Sequence, residues 1–126
     1  RQTVPSHGVK MQSAAMSYPL PPNEEQRLEA LRQYDILDSE AEPVFDDITR
    51  LAALICGTPT ALAVLIDEER QWFKSRFGFD LPESPRRIAF CAYTIVESDL
   101  LIVEDARADY RFRDNPLVTS EPRIRF

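Results

Sequence analysis

Residues 60–77 constrain the fold more than any other stretch of this chain. Thr60–Ile66 is apolar at nearly every position, the polar run Asp67-Glu68-Glu69-Arg70 follows, and Gln71–Phe77 then alternates. Two extended runs joined by a short polar turn read as an antiparallel hairpin. The unbroken apolar character of the first strand predicts cover on both of its faces. In the second strand, Phe73, Ser75 and Phe77 share one face while Trp72, Lys74 and Arg76 share the other. That pattern assigns Phe73 to the interior and Lys74 to solvent. The functional alternative sets Trp72 or Lys74 at a pocket or an interface, and an exposed tryptophan would favour the interface.

Two helices precede the hairpin. Pro43–Cys56 carries Phe45, Ile48, Leu51, Ala52 and Ile55 at helical spacing, which predicts a broad buried face. A proline at the first helical position and Gly57 with Pro59 after the last mark its ends. An earlier helix, Asn23–Tyr34, has Asn23 and Gln26 in a capping-box pattern and Glu24 and Glu25 in the first turn, where the helix dipole favours acids. Its apolar stripe is thin, only Leu28, Leu31 and Tyr34. A thin stripe on a charged helix suits a partner helix, so dimerisation through this first helix is expected.

Downstream the pattern predicts a loop over Gly78–Arg87, a short helix over Ile88–Val96 and a third strand over Leu100–Val103. Asp105–Pro116 is a long polar segment with aromatics at Tyr110 and Phe112. These elements predict an α+β fold, an antiparallel sheet flanked by helices, over residues 23–126. Residues 1–22 are polar, proline-bearing and aperiodic. They read as a disordered leader, with Met11 or Met16 as candidate natural starts.

Composition narrows the function. The net charge is −6 and the basic residues are scattered among acids, which argues against nucleic acid and membrane surfaces as partners. No apolar run approaches the roughly 20 residues that cross a bilayer. Cys56 and Cys91 both fall in predicted apolar helices, so reduced thiols and a cytoplasmic location are expected. The single histidine, His7, lies in the leader. A Cys/His zinc site, a histidine-held haem and a Ser-His-acid set therefore lack ligands or members. The three glycines form no phosphate loop. The adjacent acids Asp46-Asp47, Glu68-Glu69 and Glu104-Asp105 do not converge on one point. No catalytic residue and no metal ligand is expected.

Against this background the residues resemble a known family. Glu25-Gln26-Arg27-Leu28-Glu29-Ala30-Leu31 with Tyr34-Asp35-Ile36-Leu37-Asp38 is similar to the start of bacterial GAF domains in sensor proteins. Phe45-Asp46-Asp47-Ile48, Ile66-Asp67, Arg70-Gln71-Trp72-Phe73-Lys74-Ser75 and Phe90-Cys91-Ala92 continue the similarity. So do Val103-Glu104-Asp105-Ala106, Asp109-Tyr110-Arg111-Phe112 and Asn115-Pro116-Leu117-Val118, from about Asn23 to Phe126. The resemblance implies a six-stranded antiparallel sheet with helices on one face and a small-molecule pocket on the other. Arg123-Ile124-Arg125-Phe126 resembles the beginning of a fourth strand, which makes the domain incomplete at its C-terminus. A larger parent is implied too: a sensor histidine kinase of a two-component system, or a cyclic-nucleotide signalling enzyme such as a diguanylate cyclase.

The function implied by the resemblance is sensory. The module would bind an unidentified small-molecule ligand and control an output domain in the same protein. The expected ligand-binding residues are Phe73, Phe90, Cys91, Thr94, Asp105 and Phe112, with no cofactor specified. A dimerisation or scaffold module with a vestigial pocket is the first alternative. The second is thiol chemistry at Cys91. A helix N-terminus can lower a thiol pKa, and free methionine sulfoxide reductases share this fold. That chemistry needs a resolving thiol, and Cys56 is the only other one. The chromophore motifs of bilin-binding relatives are missing. Asp105 and Asp109 have local alternatives, as a turn cap and as the partner of a nearby arginine.

Overall fold

A computed structural model describes residues 18–126. At its centre is the hairpin: β1 (Ala61–Ile66) pairs antiparallel with β2 (Arg70–Phe77) across a tight turn closed by Asp67 N–H donating to Arg70 O at 2.8 Å. The pairing runs Ala61 to Phe77 through Ile66 to Gln71, with one break. Ala63 faces Ser75 and Val64 faces Phe73, so Lys74 is the extra residue of a β-bulge. A third strand, β3 (Glu83–Pro85), pairs antiparallel with Arg70–Trp72, giving the order β1-β2-β3. The α+β class expected from the sequence is what forms, with an antiparallel sheet and flanking helices.

The helices ahead of the sheet are α1 (Glu24–Gln33) and α2 (Pro43–Cys56). α2 begins at its proline and ends at Gly57, whose φ of 63° is the left-handed conformation a glycine adopts without strain. Its orientation overturns the sequence reading. The residues turned to the sheet are Thr49 and Ala53, both buried, while Ile48, Leu51 and Ile55 are exposed. Small side chains let the helix approach closely, and polar groups lock it there. Thr49 Oγ1 and Ser75 Oγ lie 2.8 Å apart, and Ser75 donates to Asp46 Oδ1 at 2.6 Å.

α1 also differs from expectation. Asn23 makes no side-chain cap. Glu24 instead accepts from Arg27, at 2.8 and 2.9 Å, and from Arg86. Leu28 and Leu31 are buried against this chain itself, while Tyr34 is exposed. The stripe that suggested a partner helix is therefore already covered at two of its three positions. Arg86, on the single 3₁₀ turn Arg86–Ile88, is 1 % exposed; it also donates to the carbonyls of Asp67 and Glu68, both at 3.2 Å. Tyr18 lies over its guanidinium at 4.9 Å and Pro21 is buried, so the described end of the expected leader touches the domain at these two residues, while Leu20 and Pro22 are exposed. The rest of that leader, with His7, lies outside the described residues.

Beyond β3, a short helix α3 (Cys91–Thr94) covers the face of β1 that carries Val64 and Ile66, opposite α2. As β1 is an edge strand, only Ile66 is fully buried and the other five positions are half-covered. Leu100–Val103 joins no ladder and forms no regular element. Its alternation is still expressed: Leu101 and Val103 pack inward while Leu100 and Ile102 face out. A strand needs an available neighbouring edge as well as a pattern, and no edge meets this one. Residues 105–115 form successive helical turns leading into α4 (Pro116–Thr119). Residues 123–126 form no strand; Ile124 N–H donates to Leu117 O at 2.7 Å.

Candidate functional site

The expected ligand-binding residues do not converge. Phe90 and Phe112 are together, but as packing: their rings stack with centroids 4.1 Å apart and planes 7° from parallel, and Tyr93 meets Phe112 edge-on at 5.0 Å. Phe112 is wholly buried, with Ala106 and Val118 completing the cluster. These three rings pack on one another. Thr94 is exposed. Asp105 accepts from Arg107 N–H at 3.0 Å and from its guanidinium at 2.9 and 3.0 Å. That guanidinium holds the Asp105 carboxyl below the usual range. Asp109 and Arg111 form the same local pair at 2.6 Å. Both aspartates take the local roles weighed as their alternatives.

Cys91 opens α3 with its side chain in the apolar cluster of Ile66, Ala89 and Ala92. Burial pushes its thiol up from the ordinary value, the opposite of the activation expected at a helix N-terminus. A helix of four residues has little dipole to set against desolvation. Cys56 is exposed, and both cysteines are free.

Among the described residues a cavity lies beside β2. It has a volume of about 330 Å³ and is lined by Ser39 and Ala41 from the α1–α2 connector, Asp46 from α2, Trp72–Arg76 from β2, and Pro82. β3 pairs only with Arg70–Trp72, so beyond Trp72 the sheet leaves room against the connector and residues 79–82. Phe73, alone of the expected ligand-binding residues, is a wall residue; its ring meets Phe79 edge-on at 5.3 Å. Trp72 is buried, which removes it as an exposed interface anchor.

Lys74, expected in solvent, is 2 % exposed at its side chain. The bulge breaks the alternation, so Lys74 and Ser75 both reach α2 and the connector. The Lys74 ammonium donates to Ser39 Oγ at 2.8 Å and to Glu40 O, pairs with Glu42 at 2.6 Å, and lies 5.4 Å from the centre of the Phe45 ring. A buried charge persists only when paired and hydrogen-bonded, and here the connector supplies both. Lys74 thus clamps the connector to the sheet and shapes the cavity. The Arg76 guanidinium is exposed at the rim, donating to Asp80 O.

Its walls carry aromatic rings, the Asp46 carboxylate and the Ser39 and Ser75 hydroxyls, which are hydrogen-bonded within the fold, with the Arg76 cation at the rim. Among the described residues no group of three His, Cys, Asp or Glu is placed to hold a metal ion. No described helix is long and apolar enough to cross a membrane. Ser39 and Ala41 had no signal in the sequence, because the connector meets β2 only through the fold.

No family model matches the chain. It is 44 % identical over 108 residues to a cyclic di-GMP phosphodiesterase of Pseudomonas aeruginosa. The aligned stretch covers 86 % of this chain and 18 % of the relative's length. The chain is thus similar to a part, under a fifth, of a protein named as a cyclic di-GMP phosphodiesterase.

Proposed function

We propose that this chain is a GAF-type regulatory module that adjusts an attached activity on cyclic di-GMP and does not itself perform the hydrolysis. The observation that carries this reading is the mismatch of lengths. The relative shares most of this chain yet has more than four-fifths of its own length outside the match. The activity in the relative's name belongs to a much larger protein, and the described residues here bring no nucleophile, base and orienting group together. The α+β sheet with covering helices is compatible with the resemblance to GAF domains.

The cavity beside β2 is where such a module would take its ligand. Its volume lies at the lower end of small-molecule sites, so a compact polar molecule with a flat apolar part suits it. A ligand gripping both the connector and β2 would favour one arrangement of α1, α2 and the sheet, by no more than its preference between the two states. A thermal-shift screen of nucleotides, cyclic di-GMP and amino acids tests this, repeated on Arg76→Ala. A ligand that raises the midpoint in the wild type and does so less in the variant supports the reading. A flat response across all classes refutes ligand sensing and leaves regulation through a protein partner. The thiol alternative is not favoured, because Cys91 is half-buried against an apolar cluster and desolvation raises its pKa.

A further inference from the structure

Between the buried Leu31 of α1 and the buried Thr49 of α2, no residue is buried. The connector, residues 35–42, lies against β2 with only Ile36, Leu37 and Ser39 half-covered. Its main chain makes no hydrogen bond to the main chain of the sheet; the bonds it makes close turns with its own neighbours. β2 holds it through side chains instead. Arg70 donates to both oxygens of Asp38 at 2.7 and 2.9 Å. Lys74 takes Ser39, the carbonyl of Glu40 and the Glu42 carboxylate. The Asp38 and Glu42 side chains are 67 % and 55 % exposed, and ion pairs at such positions are weak and screened by salt. Asp35 and Asp38 have φ of 48° and 60°, so the closed connector also carries backbone strain. A segment with few buried apolar contacts, fastened by exposed charges, belongs to the parts of a domain that open first.

We propose that residues 35–42 are a strap that opens over the cavity as a unit, with α1, α2 and the sheet still docked, and that Arg70 and Lys74 are its fasteners. Both ends stay fixed. Leu28, Leu31 and the Glu24–Arg86 pair hold α1, and Thr49 and Ala53 hold α2. Breaking a buried ion pair is usually costly because one charge stays buried without a partner. Here the strap is both partner and cover. When it lifts, water reaches the Lys74 ammonium, while Arg70 keeps Asp67 and Glu83. Lifting also takes Ser39 and Ala41 off one wall of the cavity and opens its path to solvent. That the strap admits a ligand rests on the reading of the cavity as a ligand site; that it opens does not.

Acylation of the Lys74 amine by an N-hydroxysuccinimide ester, followed by peptide mass spectrometry on the 126-residue chain with no ligand added, tests it. Lys10 and Lys74 are the only lysines, so each is read separately. Each rate is divided by that of the same amine in the urea-unfolded chain under the same salt. Lys74 is expected to react more slowly than in the unfolded chain, and faster in about 1 M than in about 0.1 M salt. Asp38→Asn keeps a residue at ease in the left-handed conformation and removes the charge; it is expected to speed the reaction up to about fivefold. Low urea should leave the rate nearly unchanged, because lifting a strap exposes little surface. A rate equal to that of the unfolded chain overturns the proposal, as the strap is then not closed. So does a rate that climbs with urea as steeply as global unfolding, or one indifferent to both salt and Asp38→Asn. A flat ligand screen would leave all of these rates as they are, so failure of the ligand reading and failure of the strap are told apart.

Discussion

Replacing Glu24 with glutamine should remove about 2–3 kcal/mol of stability near neutral pH. Glu24 is the junction between α1 and the rest of the domain: its carboxylate takes Arg27 from its own helix and the buried Arg86 from beyond the sheet. Hydrogen bonds from Arg27 first, and from Arg86 second, lower its pKa from 4.5 to about 2. A displacement of that size corresponds to roughly 3 kcal/mol, and the carboxylate is only 18 % exposed, so solvent screening discounts it modestly. An independent route gives a similar figure. Removing one partner of a buried ion pair costs about 3–5 kcal/mol, less here because Arg86 keeps the carbonyls of Asp67 and Glu68. The sign of the pH dependence follows from the depressed pKa. The stabilisation is complete above about 4.5, declines as pH falls, and is gone near 2. Urea unfolding of wild type and Glu24→Gln between neutral pH and pH near 2.5 reads both effects. The two proteins should differ most at neutral pH and converge in acid. Equal midpoints at neutral pH, or a difference that does not change with pH, would refute the role given to this carboxylate.

Three further outcomes follow from the packing. Phe112→Ala should cost about 3–5 kcal/mol in denaturant unfolding, since a wholly buried ring and its stack on Phe90 are lost. Gly78→Ala should destabilise by at least about 1 kcal/mol, measured the same way; Gly78 has φ +68° and an added Cβ would lie 2.0 Å from the carbonyl oxygen of Pro59. Iodoacetamide at mildly alkaline pH should modify the exposed Cys56 well before the half-buried Cys91, whose thiol pKa is raised, as peptide mass spectrometry would show.

Features written in short-range chemistry were legible in the sequence. Pro43, Gly57 and the polar turn Asp67–Arg70 act on their immediate neighbours, and the bounds of α2 and the hairpin follow from them. What depends on distant partners was not. Periodicity located the apolar face of α2 at Ile48, Leu51 and Ile55, but whether that face is covered depends on what lies above it; close approach to Ser75 favoured the small face instead. The bulge at Lys74 reversed its environment from solvent to a buried ion pair. β3 is three residues long and ends in proline, too short to show a period. Leu100–Val103 had the pattern of a strand and lacked an edge to join. Phe90 and Phe112, both named as ligand-binding from the sequence, lie stacked on each other. The cavity walls from the connector arise only when Lys74 draws Ser39 and Glu40 onto the sheet.

The regulatory reading meets its most direct test in hydrolysis of cyclic di-GMP by the Pseudomonas aeruginosa relative carrying this chain in place of its matching segment, measured beside the isolated chain and a deletion of that segment. The isolated chain should show no turnover, the chimera should hydrolyse, and the deletion should hydrolyse at an altered rate. Turnover by the isolated chain, or a deletion indistinguishable from the intact protein, would contradict it.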